Sequence, residues 1–301
     1  MSDTIASLKR QISSAGDLQS VVRTMKALAA SSIGQYEQSV HALADYWRTV
    51  ELGLSVCLRQ GERISVSQSS KNTGVIGAIV FGSDQGLVGQ FNDIIADYAI
   101  KTLAALPGKP QVWAVGERVH DRLAEAGLAM AGRFAVPNSV KAITPLVAQI
   151  QIQSESQRAK SGCEQIYIFH NRPQTGSLYE PVSQRLLPLD EIWQKELTKV
   201  PWPTKILPEV LNNLPATLSS LIREYLFISL FRACAESLAS ENASRLAAMQ
   251  RAEKNIDDLL ENLHGGYHRL RQSSIDEELF DVVSGYEALE KSGRAGHAAA
   301  S

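Results

Sequence analysis

Residues 237–255 read SLASENASRLAAMQRAEKN, and this stretch decides the fold because it is a helical segment of unusually small cross-section. Small residues stand where leucine packs in an ordinary coiled coil, at Ala239, Ala243, Ala247 and Ala248. Such a slim helix can approach another surface closely, or it can form a close-packed alanine seam within a coiled coil. Composition alone leaves both alternatives open.

The slim stretch lies inside a longer periodic segment that has no proline after Pro215 and stays periodic to about Val283. Its apolar stripe consists of Leu218, Leu221, Tyr225 and Ile228, and then of Ile256, Leu260, Leu263, Tyr267, Leu270 and Ser274. Spacings of three and four residues predict one long helix with a seam for a partner.

The N-terminal segment has the same rhythm and is free of proline from Thr4 to about Gln60. Its stripe consists of Val22, Met25, Ala29, Ser32 and Tyr36, and, after a four-residue shift near Val40, of Leu43, Trp47, Val50, Leu54 and Cys57. Two helices of this length at the two ends of a chain most simply pair as an antiparallel coiled coil.

The middle of the chain alternates short apolar runs with helical segments. The buried-strand candidates are GVIGAIVF (74–81), PQVWAVG (110–116) and EQIYIFHN (164–171), and SLYEPVSQRLLPL (177–189) is typical of an edge strand or hairpin. Helices are predicted over 91–106, 117–128 and 139–160. This order favours a small Rossmann-like α/β domain.

The predicted fold class is therefore α/β, with a long antiparallel coiled coil of the terminal helices and a central Rossmann-like domain. The predicted domains are an N-terminal helix (1–60), the α/β domain (72–210), a C-terminal helix (211–285) and a disordered tail (286–301). The tail is assigned from its small and polar residues.

Composition excludes several classes of function. The 30 basic and 32 acidic residues give a net charge of -2, which provides no field for nucleic acid. Cys57, Cys163 and Cys234 lie far apart and favour a reducing compartment. The N-terminal sequence MSDTIASLKRQISS does not predict a secretion signal. The chain has no run of about 18 apolar residues, so no membrane span is predicted.

The motifs that could indicate catalysis or the binding of a nucleotide or metal are weak. Gly82, Gly86 and Gly89 follow a strand, but their spacing is not that of a dinucleotide loop, and no Walker motif occurs, so a structural turn is favoured. His264 and His268 have the spacing of zinc ligands without a third ligand. No nucleophile elbow occurs. We expect no catalytic residue, no cofactor and no metal.

Several stretches resemble one family. SENASRLAAM (240–249) resembles the Ser-Glu-x-x-x-Arg-Met-x-Ala-Met signature of F-type ATP synthase γ subunits, and GSDQGLVGQFN (82–92) resembles their Ser-Asp-Arg-Gly-Leu-Cys-Gly-Gly-Phe-Asn stretch. TMKALAAS (24–31), LLPL (186–189) and LRQSSIDEEL (270–279) also fall where that family has similar segments. The match is collinear over about residues 5–285.

The resemblance implies a rotating central stalk that couples ion flow through a membrane ring to catalysis on other subunits. It implies α and β subunits of a hexamer, an ε subunit and the c-ring as partners, and neither catalysis nor bound nucleotide in this chain. The implied location is the cytoplasmic face of a prokaryotic membrane. Carried over by position, the implied partner contacts are Met25, Lys26, Asp84, Gln85, Gly86, Leu87, Arg271 and Gln272.

The chain also departs from the family pattern. Gln85 replaces an arginine, Val88 a cysteine and Gln90 a glycine. These departures suggest an alternate, N-ATPase-like complex that uses protons or sodium ions. Two other classes remain open, a non-catalytic coiled-coil adaptor and a nucleotide-binding α/β enzyme with helical extensions.

Overall fold

The computed structural model describes residues 4–60, 74–161, 163, 165–174, 177–189, 191–206, 208–210 and 213–298. The elements of this part, in chain order, are α1 (Ile5–Arg59), β1 (Val75–Phe81), α2 (Phe91–Ala105), β2 (Lys109–Val115), α3 (Glu117–Glu125), β3 (Ala129–Phe134), α4 (Val140–Ser161), β4 (Gln165–Gln174), β5 (Ser177–Leu187), α5 (Glu191–Lys199) and α6 (Leu214–Ala298). The mixed α/β class and the two long terminal helices are confirmed.

The end of α6 differs from the prediction. The helix continues past residue 285 to Ala298, so the tail predicted to be disordered is helical up to that residue. Its sequence, YEALEKSGRAGHA, has no proline and is rich in alanine, glutamate, leucine and lysine, which favour helix. Residues 1–3, 72–73, 211–212 and 299–301 of the predicted domains lie outside the described residues.

The chain forms two compact units. The helical unit contains α1 up to Lys26 and α6 from Met249, and the α/β unit contains Ala27–Ala248. Each long helix therefore contributes to both units.

In the helical unit the two helices run antiparallel. Leu8, Ala15 and Val22 are buried at intervals of seven residues, which is the repeat of a coiled-coil seam. As the residue numbers on α1 increase, those of the contacting residues on α6 decrease. Leu8 lies beside Gly266, Gln19 donates to Asp257, and Arg23 pairs with Glu253. The residues of α6 that face the seam are the predicted ones, buried at Ile256 and half-buried at Leu260, Leu263, Tyr267, Leu270 and Ser274.

The α/β unit is built on a five-stranded sheet of order β3-β2-β1-β4-β5. Strands β1 to β4 are parallel, and β5 returns antiparallel to β4. Because β1 is central and covered on both faces, six of its seven residues are buried. One face packs against α2 and α3, and the other against α4 and the middle of α6.

The second half of α1 and the first half of α6 also pair antiparallel within the α/β unit. The rings of Trp47 and Tyr225 are 5.0 Å apart, and the Tyr46 hydroxyl donates to Glu224 Oε2 at 2.7 Å. Trp193 of α5 donates its indole N–H to the Tyr225 hydroxyl at 3.0 Å. A cluster of apolar side chains from α1, α5 and α6 surrounds these aromatic rings.

Candidate partner-contact sites

The first part of the slim stretch of α6, together with the residues just before it, is buried on every side. All ten residues from Ala233 to Asn242 are buried, whereas a helix on a protein surface buries only one stripe. Leu238 and Ala239 belong to the same apolar cluster as strand residues Ile79 and Ile168, and Tyr36 of α1 also joins it. The slim helix therefore approaches another surface, the sheet, and also packs against α1, so both alternatives that composition left open hold in part.

Two serines of this stretch bind the end of the sheet. Ser240 Oγ donates to the carbonyl oxygen of Asn171 at 3.0 Å, and Ser244 Oγ donates to that of Val88 at 2.6 Å. Asn171 in turn donates to the carbonyl oxygen of Phe91 at 3.0 Å. A small hydroxyl side chain at these positions lets the helix come close and satisfies backbone carbonyls that burial would otherwise leave unpaired.

A buried carboxylate that accepts two hydrogen bonds, Glu236, lies one turn earlier on α6. Glu236 accepts from His170 Nε2 at 2.8 Å and from Arg232 Nε at 2.7 Å. Burial alone would raise the pKa of Glu236, but the hydrogen bonds from His170 and Arg232 lower it below the usual value. Sequence analysis missed this pair, because His170 stands in a strand far from α6 in sequence.

A second acidic residue, Glu241, is incompletely paired. Its Oε1 oxygen accepts from Arg245 at 2.6 Å, and its side chain is only 7% exposed. Among the described residues, no donor lies within hydrogen-bond distance of Oε2. Burial raises the pKa of Glu241, and nearby Asp84 raises it further, against the opposing effect of Arg245. The signal in the sequence was the Glu-x-x-x-Arg spacing, which places both side chains on one helix face.

The glycine-rich turn after β1 is held by its own side chains. Asp84 accepts backbone N–H groups from Glu117 at 3.0 Å and from Val136 at 2.8 Å. Its carboxylate thus accepts hydrogen bonds from the N-terminus of α3 and from the loop after β3, and it joins the turn to both. Gly82 is required because a Cβ atom there would come within 2.4 Å of the Val119 side chain. These contacts favour the structural-turn interpretation.

The same turn exposes two of the predicted contact residues. Gln85 is exposed, and Leu87 is 62% exposed in the left-handed region with φ of 62°. A leucine seldom adopts this conformation, and large apolar side chains seldom stand in solvent at a turn tip. Asp84 and Gly86 are half-buried below them.

In the helical unit, Met25 and Lys26 lie on a half-buried part of α1. Lys26 and Arg23 both pair with Glu253 of α6. Their hydrogen bonds, from Lys26 first and then Arg23, lower the pKa of Glu253. Lys26 is therefore already bound to a carboxylate of its own chain.

Arg271 and Gln272 are both exposed, and neither makes a hydrogen bond or an ion pair with a described residue. The stretch from Glu253 to Arg271 corresponds to about 27 Å of helix at roughly 1.5 Å per residue, so the structure does not bring this pair near Lys26. Five exposed apolar side chains follow on the same helix: Ile275, Leu279, Phe280, Val282 and Val283.

None of the helices, over the residues that the structure describes, has an apolar stretch long enough to cross a bilayer.

A family model described as ATP synthase matches residues 4–289 of the chain. The ATP synthase gamma chain of Syntrophus aciditrophicus is 24% identical over 288 residues, covering 94% of this chain and 98% of that protein. The ATP synthase gamma chain of Glaesserella parasuis is 25% identical over 287 residues, with the same coverage of both chains.

Two solved structures have a similar fold. A chain of the Euglena gracilis mitochondrial ATP synthase rotor aligns with a TM-score of 0.61 at 15% identity, covering 90% of this chain and 98% of that one. A chain of the Tetrahymena thermophila central stalk and c-ring aligns with a TM-score of 0.56 at 21% identity, covering 77% and 99%.

Proposed function

The chain belongs to the ATP synthase γ-chain family, and from that premise we propose that it turns as the central shaft of a rotary ATPase. The observation that carries the proposal is the family match over residues 4–289, which includes both long helices and the α/β unit between them. A shaft needs a stiff element that reaches out of a folded base. The paired ends of α1 and α6 are suited to that role, because coiled coils resist bending and twisting along their length.

We further propose that the chain itself catalyses nothing and holds no nucleotide. The glycine-rich turn supports this, because its glycine spacing is not that of a dinucleotide loop and its Asp84 carboxylate is bound to the backbone N–H groups of Glu117 and Val136. Catalysis then belongs to other subunits, and this chain transmits their conformational changes as torque. Saturable binding of ATP to the purified chain would contradict this part of the proposal.

The proposed partners are α and β subunits of a catalytic hexamer, an ε subunit and a c-ring. The similar Tetrahymena chain comes from a structure of a central stalk with its c-ring, which supports the ring as a partner. The exposed apolar side chains from Ile275 to Val283 form a surface that a partner subunit can bury, since exposed apolar patches mark interaction sites. We propose that the hexamer covers it. The complex would then stand at the cytoplasmic face of a prokaryotic membrane.

The predicted contact residues differ in how available they are to a neighbouring subunit. Arg271 and Gln272 are exposed and without partners among the described residues, so they are available to a neighbouring subunit. Lys26 is less available, because any contact with a neighbour competes with Glu253. The exposed Leu87 and Gln85 form a second contact point at the turn after β1.

We also propose that the chain serves an alternate, N-ATPase-like complex. The support is the set of departures from the family pattern, of which Gln85 is the clearest because it removes a charge from an exposed turn. A sodium-coupled ring is compatible with this assignment.

The decisive experiment is co-expression of the chain with α and β subunits of an F-type ATP synthase from the same organism, followed by native mass spectrometry. A shaft should be present as one copy with three α and three β subunits. An adaptor would give another stoichiometry or no complex with these subunits, and either result would contradict the proposal. ATP-driven rotation of a bead attached to the chain in that complex would then test the shaft directly.

A further inference from the structure

Two adjacent glycines, Gly265 and Gly266, lie inside the long helix α6. Both belong to the helical unit, and the helix is continuous from Leu214 to Ala298. They form the only Gly-Gly pair in the sequence. Glycine is less favourable inside a helix than every other residue except proline, so a pair of glycines at this place needs a physical reason.

Neither packing nor backbone geometry requires glycine at these two positions. A Cβ atom at Gly265 would meet nothing within 4 Å, and one at Gly266 would meet only the Leu8 side chain at 4.0 Å, which is ordinary van der Waals contact. Neither glycine has a positive φ. Alanine would therefore fit at both positions. The pair makes the helix less stiff, because glycine has more conformational freedom than any other residue.

The pair lies where α6 leaves the seam that it forms with α1. Gly266 lies beside Leu8, which belongs to the first turn of α1. After the pair, from Arg271 to Gly285, every residue of α6 except Ser274 is exposed. The glycines thus separate a part of α6 that packs against α1 from a part whose surface faces solvent.

Bending of α6 at this place would disrupt few contacts. Sharp helix kinks occur mainly at proline, at glycine or serine pairs and at π-bulges, and α6 contains no proline after Pro215. Gly265 is exposed and Gly266 is half-buried. Water can therefore reach a backbone N–H or C=O group that loses its helical partner there, which lowers the cost of opening the helix.

We propose that Gly265 and Gly266 form a flexible joint in α6. The joint lets the end of the helix from Arg271 onward bend relative to the part that packs against α1, and both parts remain helical. That end carries five large exposed apolar side chains, so bending changes the direction in which this apolar surface faces. The use of the joint to fit a neighbouring subunit rests on the proposed function, whereas the joint itself does not.

Spin labels attached at Asp258→Cys and Asp276→Cys measure the bend. Both positions are exposed and lie on the same helix face, because 18 residues make five turns, and they are about 27 Å apart along a straight helix. A bend of about 60° midway between them would shorten this distance to roughly 23 Å. The native cysteines Cys57, Cys163 and Cys234 are buried, which favours labelling of the two introduced ones.

Double electron–electron resonance on the frozen full-length chain gives the distribution of distances between the two labels. We expect a population at shorter distances beside that of the straight helix. Gly265→Ala combined with Gly266→Ala should remove the shorter distances and leave one narrow population, because alanine stiffens the helix without a steric clash. The same distribution with and without the two alanines would overturn the proposal. A straight-helix population alone in the chain with both glycines would also overturn it.

Gly16→Ala is the matched control for a general gain in stability. Gly16 lies in α1 of the same unit, and a Cβ atom there also meets nothing within 4 Å. This variant gains helix propensity at a different place, so it should keep the population at shorter distances. Loss of that population in Gly16→Ala would mean that the stability of the whole unit controls the bending, and it would contradict a joint at the glycine pair.

The assembled complex separates the joint from its use. If a neighbouring subunit holds the exposed end of α6, the distribution in the chain with both glycines should narrow to one population on assembly. A distribution that stays broad would contradict this use and the proposed burial of the apolar side chains. The joint would still be decided by the comparison of the glycine and alanine chains before assembly.

Discussion

The single helix α6 has two regions with opposite surroundings. From Ala233 to Asn242 every residue is buried, and its polar side chains bind the end of the sheet. From Arg271 to Gly285 every residue except Ser274 is exposed, and five large apolar side chains stand in solvent. The two regions do not differ in secondary structure, since both are helical throughout.

The comparison shows that one helix can stabilise the fold in one region and present a free surface in another. In the buried region, close packing and the hydrogen bond to Asn171 leave room only for a small side chain at Ser240. In the exposed region only Ser274 is half-buried, so almost the whole helix surface is available to partners. Stability should therefore depend on the first region, and function in a complex on the second.

The largest expected effect comes from enlarging a side chain in the buried region. Ser240 is 0% exposed and donates to Asn171. Ser240→Leu should lower the free energy of unfolding by roughly 2–5 kcal/mol, because it overpacks the site and leaves a carbonyl unpaired. Urea denaturation of the full-length chain measures this loss.

The matched control is Ser273→Leu, which makes the same change at an exposed position of the same helix. Surface substitutions of this kind usually change the free energy of unfolding by less than about 0.5 kcal/mol. Similar losses for both variants would contradict the difference between the buried and the exposed region of α6.

The seams of both units could be predicted from the sequence, because heptad spacing reports directly which side chains are buried. The stripe from Ile256 to Ser274 and that from Leu43 to Cys57 match the buried and half-buried positions of the structure. The central strands were also predictable, since each contains a continuous apolar run.

Two elements were missed for identifiable reasons. Strand β3 reads AMAGRF and buries only Phe134 fully, because it is an edge strand, so it has no apolar run to detect. Helix α5 is short and lies between the strand β5 and a proline-rich connector. The contact of Glu236 with His170 was not predictable, because it joins α6 to a residue far away in sequence, whereas the Glu241–Arg245 pair follows from its four-residue spacing.

A smaller effect is expected at Gly265 and Gly266, in the helical unit. A Cβ atom would meet nothing within 4 Å at Gly265, and only the Leu8 side chain at 4.0 Å at Gly266. Replacing both by alanine should raise the stability of this unit by about 1–2 kcal/mol, because each glycine costs roughly 1 kcal/mol in a helix interior. Hydrogen exchange of the neighbouring amides reports it. Faster exchange would mean that glycine is needed there.

The pH dependence of stability should differ in sign between Glu241 and Glu253. The pKa of Glu241 is raised by burial, so its contribution is fully present below the ordinary carboxyl pKa of about 4.3 and is lost as pH rises through the raised value. Glu241→Gln should therefore stabilise the free chain near pH 7, on the order of 1 kcal/mol, and this gain should vanish toward pH 4.

Glu253 provides the opposite case. Its pKa is lowered by Lys26 and Arg23, so its contribution is present above the ordinary carboxyl pKa and is lost as pH falls through the lowered value. Glu253→Gln should destabilise the chain near pH 7 and have less effect in acid. Unfolding curves of both variants from pH 2 to pH 8 test the pair, because the loss at Glu253 falls below the ordinary carboxyl pKa, and parallel curves would refute the contrast.

The smallest effect on stability, and the clearest effect on function, is expected for Arg271→Ala combined with Gln272→Ala. Both side chains are exposed and make no bond within the described part of the chain, so the free energy of unfolding should change by less than about 0.5 kcal/mol. Arginine offers five donors in a planar fork, and glutamine offers a donor and an acceptor, so together they can bind a carboxylate-bearing loop of a neighbouring subunit.

A charge-assisted hydrogen bond contributes roughly 1.5–3 kcal/mol, so a contact made at only one rotor angle should change turnover by about tenfold or more when it is lost. The measurement is ATP hydrolysis and ATP-driven ion pumping by the assembled complex. Arg269→Ala is the control for the loss of an exposed arginine, because Arg269 lies two residues from Arg271 and thus on nearly the opposite side of the helix from it. If the double variant hydrolyses ATP and pumps ions at the rates of this control, Arg271 and Gln272 have no part in coupling, and the exposed region of α6 acts through its apolar side chains alone.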